Sequence, residues 1–190
     1  MYIFHITTAH GGAYSSRNLA LATDANTAAR LLKSSFPEIS ERLSKIKVNI
    51  VESMGVALEK KAVSLPLMAG LIAAEDWFYS AVSRDSVKND NYRGFCFHFK
   101  GGRLNREAKL KRITDMLGVY HSQIAGIVTK DNLVPSLVVG HDSLAGEIDR
   151  LLTRKRLLLT GNYFWGLAIE DCVSRSLSEF TRLKNALSSG

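Results

Sequence analysis

Apolar residues recur along the 190-residue chain in two rhythms, and the switches between them mark the elements. Residues 2–8 (YIFHITT) alternate and are rich in β-branched and aromatic side chains, which predicts a strand. His10-Gly11-Gly12 signals a turn. Residues 18–23 (NLALAT) form a short apolar run, read as a buried strand. Asp24 is placed to cap a helix over 25–34, with Ala28, Ala29, Leu31 and Leu32 on one side. Pro37 opens a second helix over 38–45, with Ile39 and Leu43 inward. Residues 47–57 alternate as a strand, and 66–74 read as another, weakened by Gly70. Residues 77–82 fit neither period, and 86–92 are polar enough for a loop. Over 94–100 (GFCFHFK) alternation is complete: Phe95, Phe97 and Phe99 on one face, Cys96 and His98 on the other.

After Gly101-Gly102 the period becomes helical. Leu104, Ala108, Leu110, Ile113, Met116 and Leu117 make one side of a helix over 104–117, with Gly118 as its C-cap. Residues 123–129 read as a strand, 135–139 as extended, and 143–152 as a helix with Leu144, Ile148, Leu151 and Leu152 inward. Leu157-Leu158-Leu159 suits a buried strand, Thr160-Gly161-Asn162 a turn. A long helical pattern comes next. Leu167, Ile169, Val173, Leu177, Phe180, Leu183 and Leu187 recur at helical spacing, with Cys172 and Ser176 on the same side, and Glu170 and Asp171 suit its positive end. Free backbone N–H groups at that helix start would suit an anionic or carbonyl-rich ligand. Strands and helices do not alternate strictly, so the expected fold is α+β: a mixed, largely antiparallel sheet flanked by helices.

The net charge of +7 is spread over both halves, and its densest patches, 103–112 and 154–156, read as a solvated basic face. No apolar run approaches the ~20 residues that span a bilayer, and 1–10 lacks a basic head followed by an apolar core. The expected location is cytoplasmic. Cys96 and Cys172 lie in apolar patterns and read as buried free thiols. The five histidines show no metal spacing; His5, His98 and His141 read as structural. Residues 111–130 have the rhythm of a helix-turn-helix, with Gly118 as the turn, Ile124 and Ile127 anchoring a second helix, and Tyr120, His121, Ser122 and Gln123 as its readers. That makes a DNA-binding protein a third-ranked alternative. No nucleophile motif, P-loop or G-x-G-x-x-G after a strand is present, so the chain alone builds no complete Rossmann unit.

Residues 160–173, TGNYFWGLAIEDCV, carry a resemblance. They are similar to the C-terminal flavin-contacting motif of protoporphyrinogen oxidase-like flavoproteins, within the FAD-dependent amine oxidase superfamily, roughly A-G-N-x-x-x-G-h-x-h-x-D-C-h with h apolar. Gly161, Asn162, Gly166, Leu167, Ile169, Asp171, Cys172 and Val173 match. The likeness extends backwards through 138–141, 113–129, 92–102 and 18–46, in order. The departures are Lys130 where the family often has an aromatic residue, Ser136-Leu137 for Gln-Tyr, and Asp24 for a proline.

The resemblance implies the C-terminal portion of an FAD-dependent oxidoreductase. Residues 1–45 and 155–190 would form part of an FAD-binding domain, and 46–154 a substrate-type α+β domain. It implies FAD as cofactor, with Gly161, Asn162, Gly166, Leu167, Ala168 and Ile169 facing it; Gly161 and Gly166 would permit close approach of the flavin. No catalytic acid or base and no metal ligand is identified. The family's N-terminal, G-x-G-x-x-G half has no counterpart here, so the chain alone is expected to bind FAD weakly or not at all and to be inactive. The implied partner is a complementing N-terminal FAD-domain chain or a second copy, with no nucleic acid. The alternative is a non-catalytic remnant acting as a binding or scaffold protein.

Overall fold

The computed structural model describes residues 3–188, so residue 2 of the first expected strand and residues 189–190 of the last segment lie outside it. The chain is α+β, with five α-helices among the described residues and sheets that are mostly antiparallel. It divides into two compact units: Met1–Val48 with Pro135–Gly190, and Asn49–Val134. The sequence boundaries stood at 45/46 and 154/155. The helix over 141–152 therefore falls in the outer unit.

The middle unit is built on a five-stranded sheet of order β5-β6-β7-β4-β8. Its strands are β4 (Val48–Glu59), β5 (Gly70–Ile72), β6 (Phe78–Ser83), β7 (Tyr92–Lys100) and β8 (Ile124–Pro135). The alternation of β7 works as expected: Phe95, Phe97 and Phe99 are buried, and the antiparallel register sets Phe97 against Met54 and Phe95 against Val56. Helix α3 (Arg106–Leu117) adds Leu110, Ile113 and Leu117 to the same core. Each such side chain contributes roughly 1.5–3 kcal/mol by leaving water. Asn105 caps α3 by accepting the Ala108 N–H at 2.8 Å, and Gly118 ends it in the left-handed region at φ +64°.

Beyond Gly118 the helix-turn-helix reading fails. A 3₁₀ turn at His121–Gln123 leads into β8, a strand where the second helix would have to lie. Ile124 and Ile127 pack against the middle core instead. β8 runs unbroken to Pro135, through polar 130–132. It is the edge strand of the sheet, so it tolerates charge that an inner strand would not. The apolar run 66–74 yields only the three residues of β5, and 77–82 resolves as β6.

The outer unit begins with a hairpin of β1 (Phe4–Thr7) and β2 (Ala13–Ser16). β3 (Leu19–Leu21) pairs in parallel with β9 (Leu157–Leu159). Around this pair lie α1 (Ala25–Leu32), α2 (Pro37–Ser44), α4 (His141–Leu152) and α5 (Ile169–Ser188). Asp24 caps α1 through the Thr27 N–H at 2.9 Å. The core joins Ala28, Leu32, Ile39, Leu43, Ile148, Leu152, Leu157 and Leu159 to Tyr163 and Phe164. β3 is not buried as expected: Ala20 is exposed and Leu19 and Leu21 are half-buried. Leu31 also points outward, at 54% exposed, because Ala25, Ala28, Ala29 and Leu32 form the face that packs.

Helix α5 turns most of its apolar pattern away from the core. Of the residues in its apolar pattern, only Leu183 is buried; Leu167, Ile169, Val173, Leu177, Phe180 and Leu187 are between 42% and 84% exposed. The buried face is charged, with Arg175 at 4% and Glu179 at 3% exposed. The cause is the free edge of β9, whose backbone groups need partners. Glu179 accepts the Leu159 N–H at 3.2 Å, Arg175 Nε donates to the Leu159 carbonyl at 3.0 Å, and Arg182 donates to the Leu157 carbonyl at 2.6 Å. Three side chains of α5 thus stand in for a neighbouring strand.

Candidate functional site

The residues singled out by sequence converge on the turn between β9 and α5. Tyr163 and Phe164 anchor it: both are fully buried, and their rings lie 4.8 Å apart. His141 donates from Nε2 to the Phe164 carbonyl at 2.8 Å, the structural role expected of it. The Arg175 guanidinium stacks 3.6 Å from the Phe164 ring centroid and pairs with Asp149 at 2.7 Å. The Tyr163 hydroxyl is sealed without a hydrogen-bond partner, and burial pushes its pKa above the usual phenol range, so it stays protonated.

The two glycines of the turn have reasons within the chain. A Cβ at Gly161 would meet the Tyr163 ring at 2.5 Å and the Thr23 carbonyl at 3.3 Å. A Cβ at Gly166 would collide with the Asp171 carboxylate. That carboxylate accepts the Ala168 N–H at 2.9 Å, the arrangement by which an acidic residue at the third helical position satisfies the capping position. Hence the helix start already carries its own anion. Of the three backbone donors expected to face a cofactor, the Ala168 N–H is engaged; those of Leu167 and Ile169 carry no partner among the described residues and lie on an exposed surface. Asn162 is half-buried. This arrangement excludes a phosphate at Asp171 and leaves room for a neutral carbonyl edge at the two open amides.

A second surface lies on the middle unit, on the side of the sheet opposite the phenylalanines. Gly55, Ala57, Gly94, Cys96, Gly126 and Val128 line an apolar hollow of about 450 Å³, with Arg84 at its border. Glycines on three adjacent strands, β7, β4 and β8, leave this stretch of the sheet bare of side chains. The next row along the sheet is polar: Ser53 Oγ and His98 Nδ1 share a hydrogen bond of 2.8 Å, and Asn132 donates to Ser53 Oγ at 2.8 Å. Burial pushes the Cys96 thiol up from its ordinary value, so it is held as a thiol rather than a nucleophilic thiolate. The sequence reading missed this surface. Its signal was present in the face of 94–100 that lacks phenylalanine, where Gly94, Cys96 and His98 are small or polar.

No protein-family model matches the chain, and no curated protein does. Solved structures match in fold. A protein of Exiguobacterium sp. 255-15, provisionally named a protoporphyrinogen oxidase, aligns with a TM-score of 0.68 at 16% identity, over 96% of this chain and 44% of its own. Reduced UDP-galactopyranose mutase aligns at 0.62 and 12%, over 80% of this chain and 37% of its own. A Pyrococcus furiosus protein aligns at 0.59 and 8%, over 95% and 44%. The chain thus shares the fold of the protoporphyrinogen oxidase-like proteins that its sequence resembles, and spans less than half the length of these structures.

Proposed function

We propose that the chain forms the C-terminal portion of an FAD-dependent oxidoreductase of the protoporphyrinogen oxidase-like kind, and that the start of α5 is one wall of its flavin cleft. The supporting observation is a coincidence of two independent signals. The fold likeness covers 96% of the chain, and the motif over 161–173 falls at the junction of strand β9 and helix α5. In this reading Gly161, Asn162, Gly166, Leu167, Ala168 and Ile169 form the cofactor wall. FAD, when bound, would supply the electron-accepting chemistry. The chain's own part is to present the Leu167 and Ile169 amides to a carbonyl edge and to keep phosphate away through Asp171. The hollow over Gly55, Gly94 and Gly126 is the substrate side, where an apolar molecule would be oriented by Ser53 and His98. Residues 1–45 with 155–190, and 46–154, serve as the partial FAD domain and the substrate domain. The chain alone is inactive and works in the cytoplasm.

The test is FAD titration of the chain together with the portion of the Exiguobacterium protein that it does not match. Leu167→Pro removes one of the two open amides and is expected to weaken FAD about tenfold, equivalent to ~1.4 kcal/mol. Unchanged affinity would remove the start of α5 from the site. A second reading, a non-catalytic binding protein, is favoured by the exposed apolar side of α5. It would hold if the assembled pair bound no flavin.

A further inference from the structure

On the sheet face away from the phenylalanines, strand register sets Ser80 of β6, His98 of β7 and Ser53 of β4 in one polar row. Val82, Cys96 and Gly55 form the next row, and Gly94 with Ala57 the one beyond. Asn132 of β8 closes the polar row by donating to Ser53 Oγ at 2.8 Å. Its surroundings settle the direction of that bond. The same amide nitrogen lies 3.4 Å from the Val51 carbonyl and 3.5 Å from the Lys130 carbonyl, both acceptors, so the donor end of Asn132 faces Ser53. Ser53 Oγ, accepting from Asn132, donates its own hydrogen to His98 Nδ1 at 2.8 Å. The neutral ring therefore carries its proton on Nε2, which has no partner among the described residues.

The glycines of the adjoining hollow do not all answer to the fold. A Cβ at Gly55 would meet Val128 Cγ1 at 2.9 Å, and one at Gly94 would meet Arg84 Cγ at 3.2 Å. One at Gly126 would meet only the Ala57 Cβ, at 3.9 Å, an ordinary contact, and Gly126 has no positive φ. No neighbour among the described residues requires glycine there, yet glycine weakens a strand; such a position marks a close approach from outside the chain. The charges around the hollow narrow what approaches. No carboxylate lines it among the described residues, so an ammonium finds no counter-ion. Arg84 bonds to Gly94, four residues or about 13 Å along β7 from His98, so its charge belongs to the far end. Lys100 is held on the Asp76 carbonyl at 2.8 Å, and Lys130 is exposed to water on β8. The row itself offers one uncharged N–H to one uncharged acceptor.

We propose that Asn132 and Ser53 are positioning residues that hold the His98 proton on Nε2, and that His98 thereby selects an aromatic molecule with an uncharged carbonyl oxygen, its rings lying on the hollow beside Gly126. The inference rests on the flavoprotein reading for calling that molecule a substrate; its binding to this face needs no flavin.

The full 190-residue chain, labelled with ¹⁵N in histidine, reports the tautomer of His98 directly by its ring nitrogen shifts. The Nε2–H form is expected, and Asn132→Leu, which frees Ser53 to accept from the ring, should move it toward Nδ1–H. Titration then compares 2-acetylnaphthalene with 2-ethylnaphthalene, which lacks the acceptor, and with 2-naphthoate. The ketone should bind about tenfold tighter than the ethyl compound, the worth of one good hydrogen bond. His98→Ala should remove that preference, and His98→Gln, which keeps an amide donor, should restore part of it. Gly126→Val suits a strand and fills the hollow, so it should keep the fold and abolish binding. The proposal is overturned by an Nδ1–H ring in the free chain, by equal binding or no binding of the ketone and the ethyl compound, or by a Gly126→Val variant that binds unchanged. Tighter binding of the naphthoate, lost in Lys130→Gln, would also overturn it and make the face an anion site. Selective ketone binding by a chain whose assembled pair takes up no flavin would sink the flavoprotein reading and leave His98 as the selecting residue. Flavin uptake without discrimination among the probes would do the reverse.

Discussion

Helix α5 is held by its charged face, and the strength of that attachment can be worked out. Glu179→Ala removes the acceptor of two bonds from Arg182, at 2.9 and 3.0 Å, and of the Leu159 N–H at 3.2 Å. It also takes a countercharge from Arg175, 3.5 Å away and 4% exposed. Breaking a buried ion pair costs about 3–5 kcal/mol. Arg182 keeps the carbonyls of Leu152, Lys155 and Leu157, and Arg175 keeps Asp149, which places the cost near the lower end, about 3 kcal/mol. For a chain of this size that lowers the unfolding midpoint by roughly 6–12 °C. Leu177→Ala removes a side chain already 65% exposed and is expected within about 0.5 kcal/mol of wild type. Had Leu177 been a core residue, as its spacing suggests, the loss would be about 2–5 kcal/mol. Calorimetry on both variants, with hydrogen exchange at Leu157–Leu159 as a local reporter, decides the matter. A larger loss for Leu177→Ala than for Glu179→Ala would refute the orientation described.

Gly161→Ala forces a methyl against the Tyr163 ring at 2.5 Å and should destabilise the outer unit by about 1–3 kcal/mol; a wild-type melting profile would show that the ring is free to move. Asp171→Ala uncaps α5 and should cost about 1 kcal/mol, with faster exchange of the Ala168 amide as the specific readout. Arg93 beside Asp85 and Arg112 beside Asp76 hold both carboxyls below the ordinary carboxylate range. A depressed folded-state value stabilises above the unfolded value and is lost on acidification, so the middle unit should weaken as pH falls below about 4. Asp85→Asn should flatten that acid limb in a pH series of urea melts, and an unchanged limb would discount the Arg93 pair.

Where local chemistry decides structure, the sequence was a sufficient guide. Strand β7 followed from strict alternation, α1 from the side-chain cap at Asp24, and α3 from its apolar side with Gly118 as terminator. β2 was missed because Ala13–Ser16 is exposed throughout and carries no apolar alternation. The helix-turn-helix rhythm failed because a glycine after a helix marks where the helix stops and does not decide whether a helix or a strand comes next. α5 is the instructive failure. Periodicity shows that a helix has an apolar side, but not whether its own chain covers that side. The charged residues 175, 179 and 182 also recur at three and four, and that second stripe was equally legible. The motif over 161–173 led to the correct strand, turn and helix start, while its glycines turned out to make room for Tyr163 and Asp171.

The visible spectrum of the purified 190-residue chain, after incubation with excess FAD and gel filtration, tests the central claim most directly. One wall of a flavin cleft, with its helix start capped by Asp171, predicts a colourless protein that becomes yellow only when the complementing α/β unit is present. Stoichiometric flavin carried by the chain alone would contradict it.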